Sequence, residues 1–396
     1  MTKKSITKRI CNTIICTVLC VSFIVYMLPM QAHAGELNAY DILTDIQTSY
    51  GQRTDKSTNK DNFRKYLKNK ISDIGYQCLE QNFNCTYEDD DDHPIDTTGI
   101  NYIFTKQGKS SKVVVIGAHY DSVNTYGIDD NGSGVAVLLE TASWAYSQND
   151  LPYTVRFILF DQEENDNCGS SYYVNNLSDN ELGNISLMIN IDSIAAGDYC
   201  YIYGGLSDYN YHVFLTDPVY NTKDIADKNG VNVRLRPTTD PSRPSPAVGE
   251  YSDDAEFKKK GIPSIYFEAT NWDIPADGYS QTVKLGAIMH TAYDNLTELV
   301  DNFGADRIKG NLATYYALLK LMLQNMDDVL KARNSVYSTG QSNACSHEYE
   351  WVEDTAATAD SDAKLVYKCK KCGNIAMRMT EANSAFLSFN QNSEKR

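Results

Sequence analysis

The spacing of apolar residues divides most of this chain into short alternating elements. Between residues 38 and 75, Tyr40, Ile42, Leu43 and Ile46 recur at helical intervals, as do Phe63, Tyr66, Leu67, Ile71 and Ile74. This predicts two helices joined by a polar segment, the second ended by Gly75. Apolar runs predict buried strands at 100–104, 113–116, 155–160, 185–191 and 262–267, and amphipathic patterns predict helices at 135–146, 170–176 and 254–260. A longer pattern from 306 to 332, carried by Ile308, Leu312, Tyr315, Leu318, Leu319 and Met322, predicts one closing helix. Apolar strands alternating with helices specify an α/β fold, a mixed and mostly parallel central sheet with helices on both faces.

The amino end departs from this pattern. Lys3, Lys4, Lys8 and Arg9 precede an apolar run over residues 10–28, and Ala32-His33-Ala34 then leads into Gly35. A basic segment, an apolar segment and small residues ahead of a cleavage point describe a secretory signal over 1–34. The run is also long enough for an uncleaved membrane anchor. The chain is therefore expected to be secreted or held at the extracellular surface.

Composition narrows the class. A chain of 396 residues with 42% hydrophobic and 22% charged residues can bury a large core, and its length suggests about two domains. The formal charge of −16 becomes −20 once the four basic residues of the signal are removed, which excludes nucleic acid as a partner. Seven cysteines lie beyond the signal. Outside the cell, pairs such as Cys78 with Cys85 or Cys168 with Cys200 could form disulfides, though spacing alone leaves the pairing open. The acidic run from Glu88 to Asp92 reads as a solvated loop.

Groups of metal-ligand type collect at strand ends. Residues 113–116 lead into Gly117-Ala118-His119-Tyr120-Asp121-Ser122, and Asp129-Asp130-Asn131-Gly132-Ser133-Gly134 opens the next helix. Residues 155–160 end in Asp161-Gln162-Glu163-Glu164, residues 185–191 end in Asp192, and Met289-His290-Thr291 with Asp294 precedes a further helix. Singly, each is ordinary: a solvated turn, a helix cap, a structural histidine. Together they put imidazoles and carboxylates at one edge of one sheet, where α/β proteins bind ligands.

This ordered set resembles the secreted dizinc aminopeptidases of metallopeptidase family twenty-eight, over roughly residues 36–330. The likeness includes Glu163-Glu164 followed by Gly169-Ser170, Asn190-Ile191-Asp192, and the early Gly51-Gln52-Arg53. The resemblance implies a zinc exopeptidase fold and two active-site zinc ions: His119 and Asp192 on one, Glu164 and His290 on the other, with Asp130 bridging and Asp129 turned away. It implies Glu163 as general base to a zinc-bridging hydroxide, and Asp121 holding His119. Zinc accepts imidazole and carboxylate, and three ligand carboxylates against two dications leave a charge of about +1 that favours bound hydroxide. Substrates would be peptides with a free amino terminus, hydrolysed at the first bond, and a monomer is expected.

Two other readings stand beside this one. A glutaminyl cyclase shares the fold and metal pattern, but such enzymes carry tryptophan beside the histidine ligand, where this chain has Met289. An inactive binding protein on the same scaffold would lack a ligand or the base, and none is missing. Tyr251, Tyr266 and Trp272 lie where they could line a substrate pocket or simply pack. At the carboxyl end, Cys345, His347, Cys369 and Cys372 suit a zinc-ribbon-like module with a structural zinc, or a disulfide. Such modules suggest cell-surface association. The chain thus divides into a signal at 1–34, a catalytic domain at 35–333, a linker at 334–343, the small module at 344–380 and a flexible tail at 381–396.

Overall fold

A computed structural model describes residues 37–88, 92–204, 217–236, 251–274 and 280–331, and the backbone of three further strands between 349 and 380. Helix α1, Ala39–Asp45, begins where the Asn38 side chain accepts from the Tyr40 and Asp41 amides, and it runs into a π-helical turn, Ile46–Tyr50. Helix α2, Thr58–Ile74, is capped by Ser57 and stops at Gly75, whose φ of 110° suits glycine alone. Strands β1 (Leu79–Glu88), β2 (Pro94–Lys106) and β3 (Ser110–His119) follow, then α3 (Gly134–Ser147), β4 (Tyr153–Phe160), α4 (Cys168–Asn175) and α5 (Asp179–Asn184). Next come β5 (Ile185–Ile191), β6 (Tyr199–Tyr203), α6 (Asp217–Lys228), β7 (Arg234–Leu235), α7 (Asp254–Lys259) and β8 (Ser264–Thr270). The domain ends with α8 (Leu296–Phe303), α9 (Ala305–Gln324) and α10 (Met326–Val329).

Eight of these strands form one sheet in the order β1-β2-β4-β3-β5-β8-β6-β7. The four central strands run parallel, while β1, β2 and β6 pair antiparallel, so the mixed, mostly parallel α/β expectation holds. Alternation along β3 shows how two faces are filled. Val114, Ile116 and Ala118 point into a large core with Leu67 of α2, Leu138 of α3 and Leu318 of α9, while Val113 and Val115 meet Tyr173 of α4 and Phe257 of α7.

Several elements differ from the expectation. Strands β1, β6 and β7 and helix α6 carry too many tyrosines and polar residues to read as apolar runs. Helix 306–332 is not continuous, because it breaks at Asn325, whose side-chain amide bonds back to the Leu321 carbonyl. The suggested disulfides are both corrected, since Cys85 of β1 is joined to Cys168 of α4 while Cys78 and Cys200 are free. An extended strand separates Cys78 from Cys85 by about 23 Å, far beyond disulfide reach. Strands β9 (Tyr349–Thr355), β10 (Lys364–Cys369) and β11 (Ile375–Thr380) make a separate antiparallel sheet. The side chains of Cys345, His347, Cys369 and Cys372 lie outside the described residues, as do segments 1–34, 334–343 and 381–396. Residues 89–91 of the acidic run also lie outside them.

The disulfide closes a loop spanning 83 positions and ties an edge strand to the helix that follows Glu163 and Glu164. Replacing both cysteines with serine is expected to lower unfolding free energy by about 4 kcal/mol. Urea unfolding under non-reducing conditions checks this, and an unchanged midpoint would show the cross-link to be idle.

Candidate metal centre and active site

Parallel strands deliver the site. His119 is the last residue of β3, Asp192 follows β5, and Glu163 and Glu164 follow β4 after a short turn. Gln162 (φ 61°) and Ser193 (φ 51°) at these ends, and His290 itself (φ 60°) in the loop before α8, adopt left-handed backbone. Such conformations persist only where surrounding contacts over-determine them. Gly127 (φ 58°) permits the turn into Asp130, because a Cβ there would lie 2.6 Å from the Asp130 carbonyl oxygen.

The side chains converge as a chain of contacts. His119 Nε2 lies 3.2 Å from Asp130 Oδ1, 3.4 Å from Asp192 Oδ1 and 3.7 Å from Glu163 Oε2. The other Asp130 oxygen, Oδ2, lies 3.1 Å from His290 Nε2, which is 3.0 Å from Glu164 Oε2. Asp130 thus spans two histidines with one oxygen toward each. On the far side of the ring, His119 Nδ1 lies 3.5 Å from Asp121 Oδ1. Asp121 also accepts from the backbone amides of Glu163 and Glu164, linking the histidine to the acidic turn.

Each ligand candidate is held by a further partner. Asp192 Oδ2 accepts from Ser252 Oγ at 2.9 Å and Tyr266 Oη at 3.1 Å, and Glu164 Oε1 accepts from the Val123 amide. Asp129 turns away from the histidines and accepts from the amides of Ala195 and Ala196 and from Gln281. The Gln281 carbonyl accepts from the amides of Ile288 and Met289, directly before His290. Asp294 accepts from the Asp129 and Asp130 amides. Gln281 and Asp294 therefore clasp the segment carrying Asp130 to the one carrying His290. Buried Arg53 donates to the carbonyls of Tyr120, Tyr126 and Gly127 and pins the loop between Asp121 and Asp130.

The electrostatics show too few positive charges for these carboxylates. Burial opposes a charge on His119, yet Glu163 and Asp192 with Asp121 and Asp130 hold its pKa well above the usual imidazole value. His290 is pushed up to about 11 by its bonds to Asp130 and Glu164. Glu164 is pushed up to about 7 by burial and Asp130, and Glu163 is also raised, burial being the main cause. Protons stand where cations would serve.

The residues fit a metal. Both His119 ring nitrogens are buried without a hydrogen-bond partner. His119, Asp130 and Glu164, and separately His119, Glu163 and Asp192, offer one atom each within 4.8 Å of one another. Tetrahedral ligands about 2.0–2.1 Å from an ion lie roughly 3.3 Å apart, the spacing seen between His119 and both Asp130 and Asp192.

The model of "Peptidase family M28" matches residues 101–316, more than half of the chain. The chain belongs to peptidase family M28. The alkaline phosphatase isozyme conversion protein of Escherichia coli is 28% identical over 56% of this chain and 69% of its own length. Probable leucine aminopeptidase 2 of Arthroderma benhamiae is 34% identical over 40% of this chain, a match that spans only 31% of the fungal protein. Among solved structures, the zinc aminopeptidase BSAP of Bacillus subtilis superposes with TM-score 0.53 at 18% identity, over 73% of this chain and 95% of that one. The glutaminyl cyclase of Porphyromonas gingivalis does so equally, with TM-score 0.53 at 21% identity, over 72% and 99%. The fold is thus that of these two structures, and fold alone does not divide aminopeptidase from cyclase.

The M28 peptidase brings all seven expected residues together: His119, Asp121, Asp130, Glu163, Glu164, Asp192 and His290. Of the weighed pocket residues, Tyr266 touches Asp192, Tyr251 is 72% exposed, and Trp272 packs edge-on against Tyr203. Sequence reasoning missed Ser252, Gln281 and Asp253. Asp253 is fully buried, and burial pushes it up to about 8 against the opposing effect of His119 and the Ser170 hydroxyl. Its pairing with Asp254 at the start of a short helix reads as capping, so no local signal sets it apart.

Gln281→Leu is expected to destabilise the peptidase by about 3 kcal/mol, since it strips a hydrogen bond from buried Asp129 and orphans two amides. Chemical denaturation measures this. A loss under about 0.5 kcal/mol would mean the clasp is not holding the two segments.

Proposed function

We propose that this chain is a zinc-dependent aminopeptidase that removes the first residue of peptides with a free amino terminus. The observation that carries the reading is Asp130 reaching His119 with one oxygen and His290 with the other, with Glu163 alongside. That arrangement suits two ions sharing a carboxylate: His119 and Asp192 would hold one, His290 and Glu164 the other. Bound zinc would supply an acidified water and polarise the scissile carbonyl.

The chain's own groups supply the rest. Glu163 takes the proton of the attacking water at its free oxygen and returns it to the leaving amine. The Glu163 side chain is largely but not wholly shielded, which limits exchange of its proton with bulk water. Asp121 holds the His119 ring while its oxygens fix the Glu163 and Glu164 amides, which keeps the base at constant distance from the ligands. Acidic groups around the site would attract the substrate's α-ammonium group, restricting cleavage to the amino-terminal bond.

The basic and apolar residues of 1–34 support export, and the curated relatives' names support the aminopeptidase assignment over the cyclase. Met289 beside His290, in place of tryptophan, points the same way.

Elemental analysis is expected to give at least two zinc ions per chain, two at the active site and a third where the carboxyl-terminal module binds its own, and exhaustive chelation is expected to abolish release of aminoacyl anilides. Glu163→Gln should keep its zinc while kcat falls by about 10³-fold or more, and undiminished turnover would remove Glu163 from the role of base. An assay of amino-terminal glutamine cyclisation runs beside it, and cyclisation without anilide release would make the cyclase the correct reading.

A further inference from the structure

One buried carboxylate of the domain has no part in the proposed chemistry. Glu268 lies near the end of β8, and the parallel register of β5 with β8 sets Asn190 beside Tyr266 and Ile191 beside Phe267. The ladder continues one step further, the Asp192 amide donating to the Phe267 carbonyl. Glu268 is therefore the lateral neighbour of Asp192 on the next strand, about 5 Å away along the sheet edge. Tyr266, two residues before it and on the same face, donates to Asp192, so this is the face that carries the metal-ligand cluster.

The surroundings of Glu268 are unusual for an acid. Its register partner on β6 is Tyr201, and Tyr203 of the same strand stacks on Tyr266 at 5.2 Å and meets Trp272 edge-on. Glu268 is only 8% exposed, and among the described residues its carboxylate has no hydrogen-bond or ion-pair partner. Burial raises its pKa well above the usual carboxylate range, with Asp192, Asp129 and Asp130 adding to the effect. Arg234, on β7 beyond Tyr201, bonds Asp273. Leaving such a group unpaired is costly unless a ligand completes it.

We propose that Glu268 binds the cationic side chain of the substrate's first residue, making the enzyme selective for amino-terminal lysine and arginine. This rests on the aminopeptidase reading above. A substrate whose scissile carbonyl lies at the metal ligands must send its first side chain to one side of Asp192. The step from Asp192 to Glu268 is one that the stem of lysine or arginine can span. The rings of Tyr201 and Tyr266 would cover the alkyl stem and attract the charged head, while the Glu268 carboxylate pairs with it.

The test compares lysine and norleucine p-nitroanilides, which differ only by the ε-ammonium group, on the zinc-loaded enzyme. The kcat/KM ratio of lysine to norleucine is expected to be about tenfold or more, and to fall about tenfold in Glu268→Gln. A wild-type ratio at or below one overturns the proposal. So does a variant that loses both substrates in proportion, since that is the outcome if Glu268 holds the α-ammonium group or only supports the fold. If Glu268→Gln does not fold, Glu268→Asp, one methylene shorter, takes its place with a lowered ratio expected. Calorimetric binding of L-lysine and L-norleucine separates this proposal from the activity itself. Should neither anilide be cleaved, the aminopeptidase reading fails. Lysine bound about tenfold more tightly than norleucine in a Glu268-dependent way then still supports the site, and equal affinity overturns it.

Discussion

Like charges crowded at one edge of the sheet govern the architecture of this domain. Asp121, Asp129, Asp130, Glu163, Glu164, Asp192, Asp253 and Asp294 lie within a few residues of two histidines, most of them buried. Two carboxylates 4 Å apart repel by about 4 kcal/mol at the dielectric typical of partly buried sites. No fold of marginal stability tolerates several such pairs without compensation. The compensation is visible throughout: backbone amides donate in pairs to Asp121, Asp129 and Asp294, buried Arg53 sits among carbonyls close to them, and the two imidazoles take up protons.

That compensation explains why the site is rigid on the protein side. Amide donors belong to the main chain, so a carboxylate that accepts two of them fixes a loop as well as its own charge. Asp121 ties the end of β3 to the turn after β4, and Asp129 with Gln281 and Asp294 ties the start of α3 to the loop before α8. At the outer end of β4, Asp161 is bonded by Lys60, Tyr120 and the Ile100 amide, which anchors α2 to the same edge. Metal ions would replace protons in a frame already set, and little reorganisation would be needed for catalysis.

The sheet separates the chemistry from the stabilising core. Helices α1, α2, α3 and α9 fill one face with aliphatic side chains. On the other face, the half next to β3 is closed by α4 and α7, whereas the half around β6 and β8 carries tyrosines, Trp272 and Glu268. The core can thus stay apolar and close-packed while the substrate side varies.

What the sequence determined by itself was the parallel middle of the sheet and which imidazoles and carboxylates stand together at its edge. Buried parallel strands must be apolar on both faces, and ligand chemistry must stand at their ends, so both features are written locally around His119, Glu164 and Asp192. Tertiary structure alone decided the rest. The antiparallel strands β1 and β6 are disguised by polar and tyrosine residues because one of their faces is not in the aliphatic core. Cys85 finds Cys168 rather than a sequence neighbour, since an extended strand carries nearby cysteines apart. Ser252, Gln281 and Glu268 gain their importance only from the register that sets them beside Asp192 or Asp129. Contact across a sheet depends on strand order, and strand order leaves no mark in the local pattern of residues.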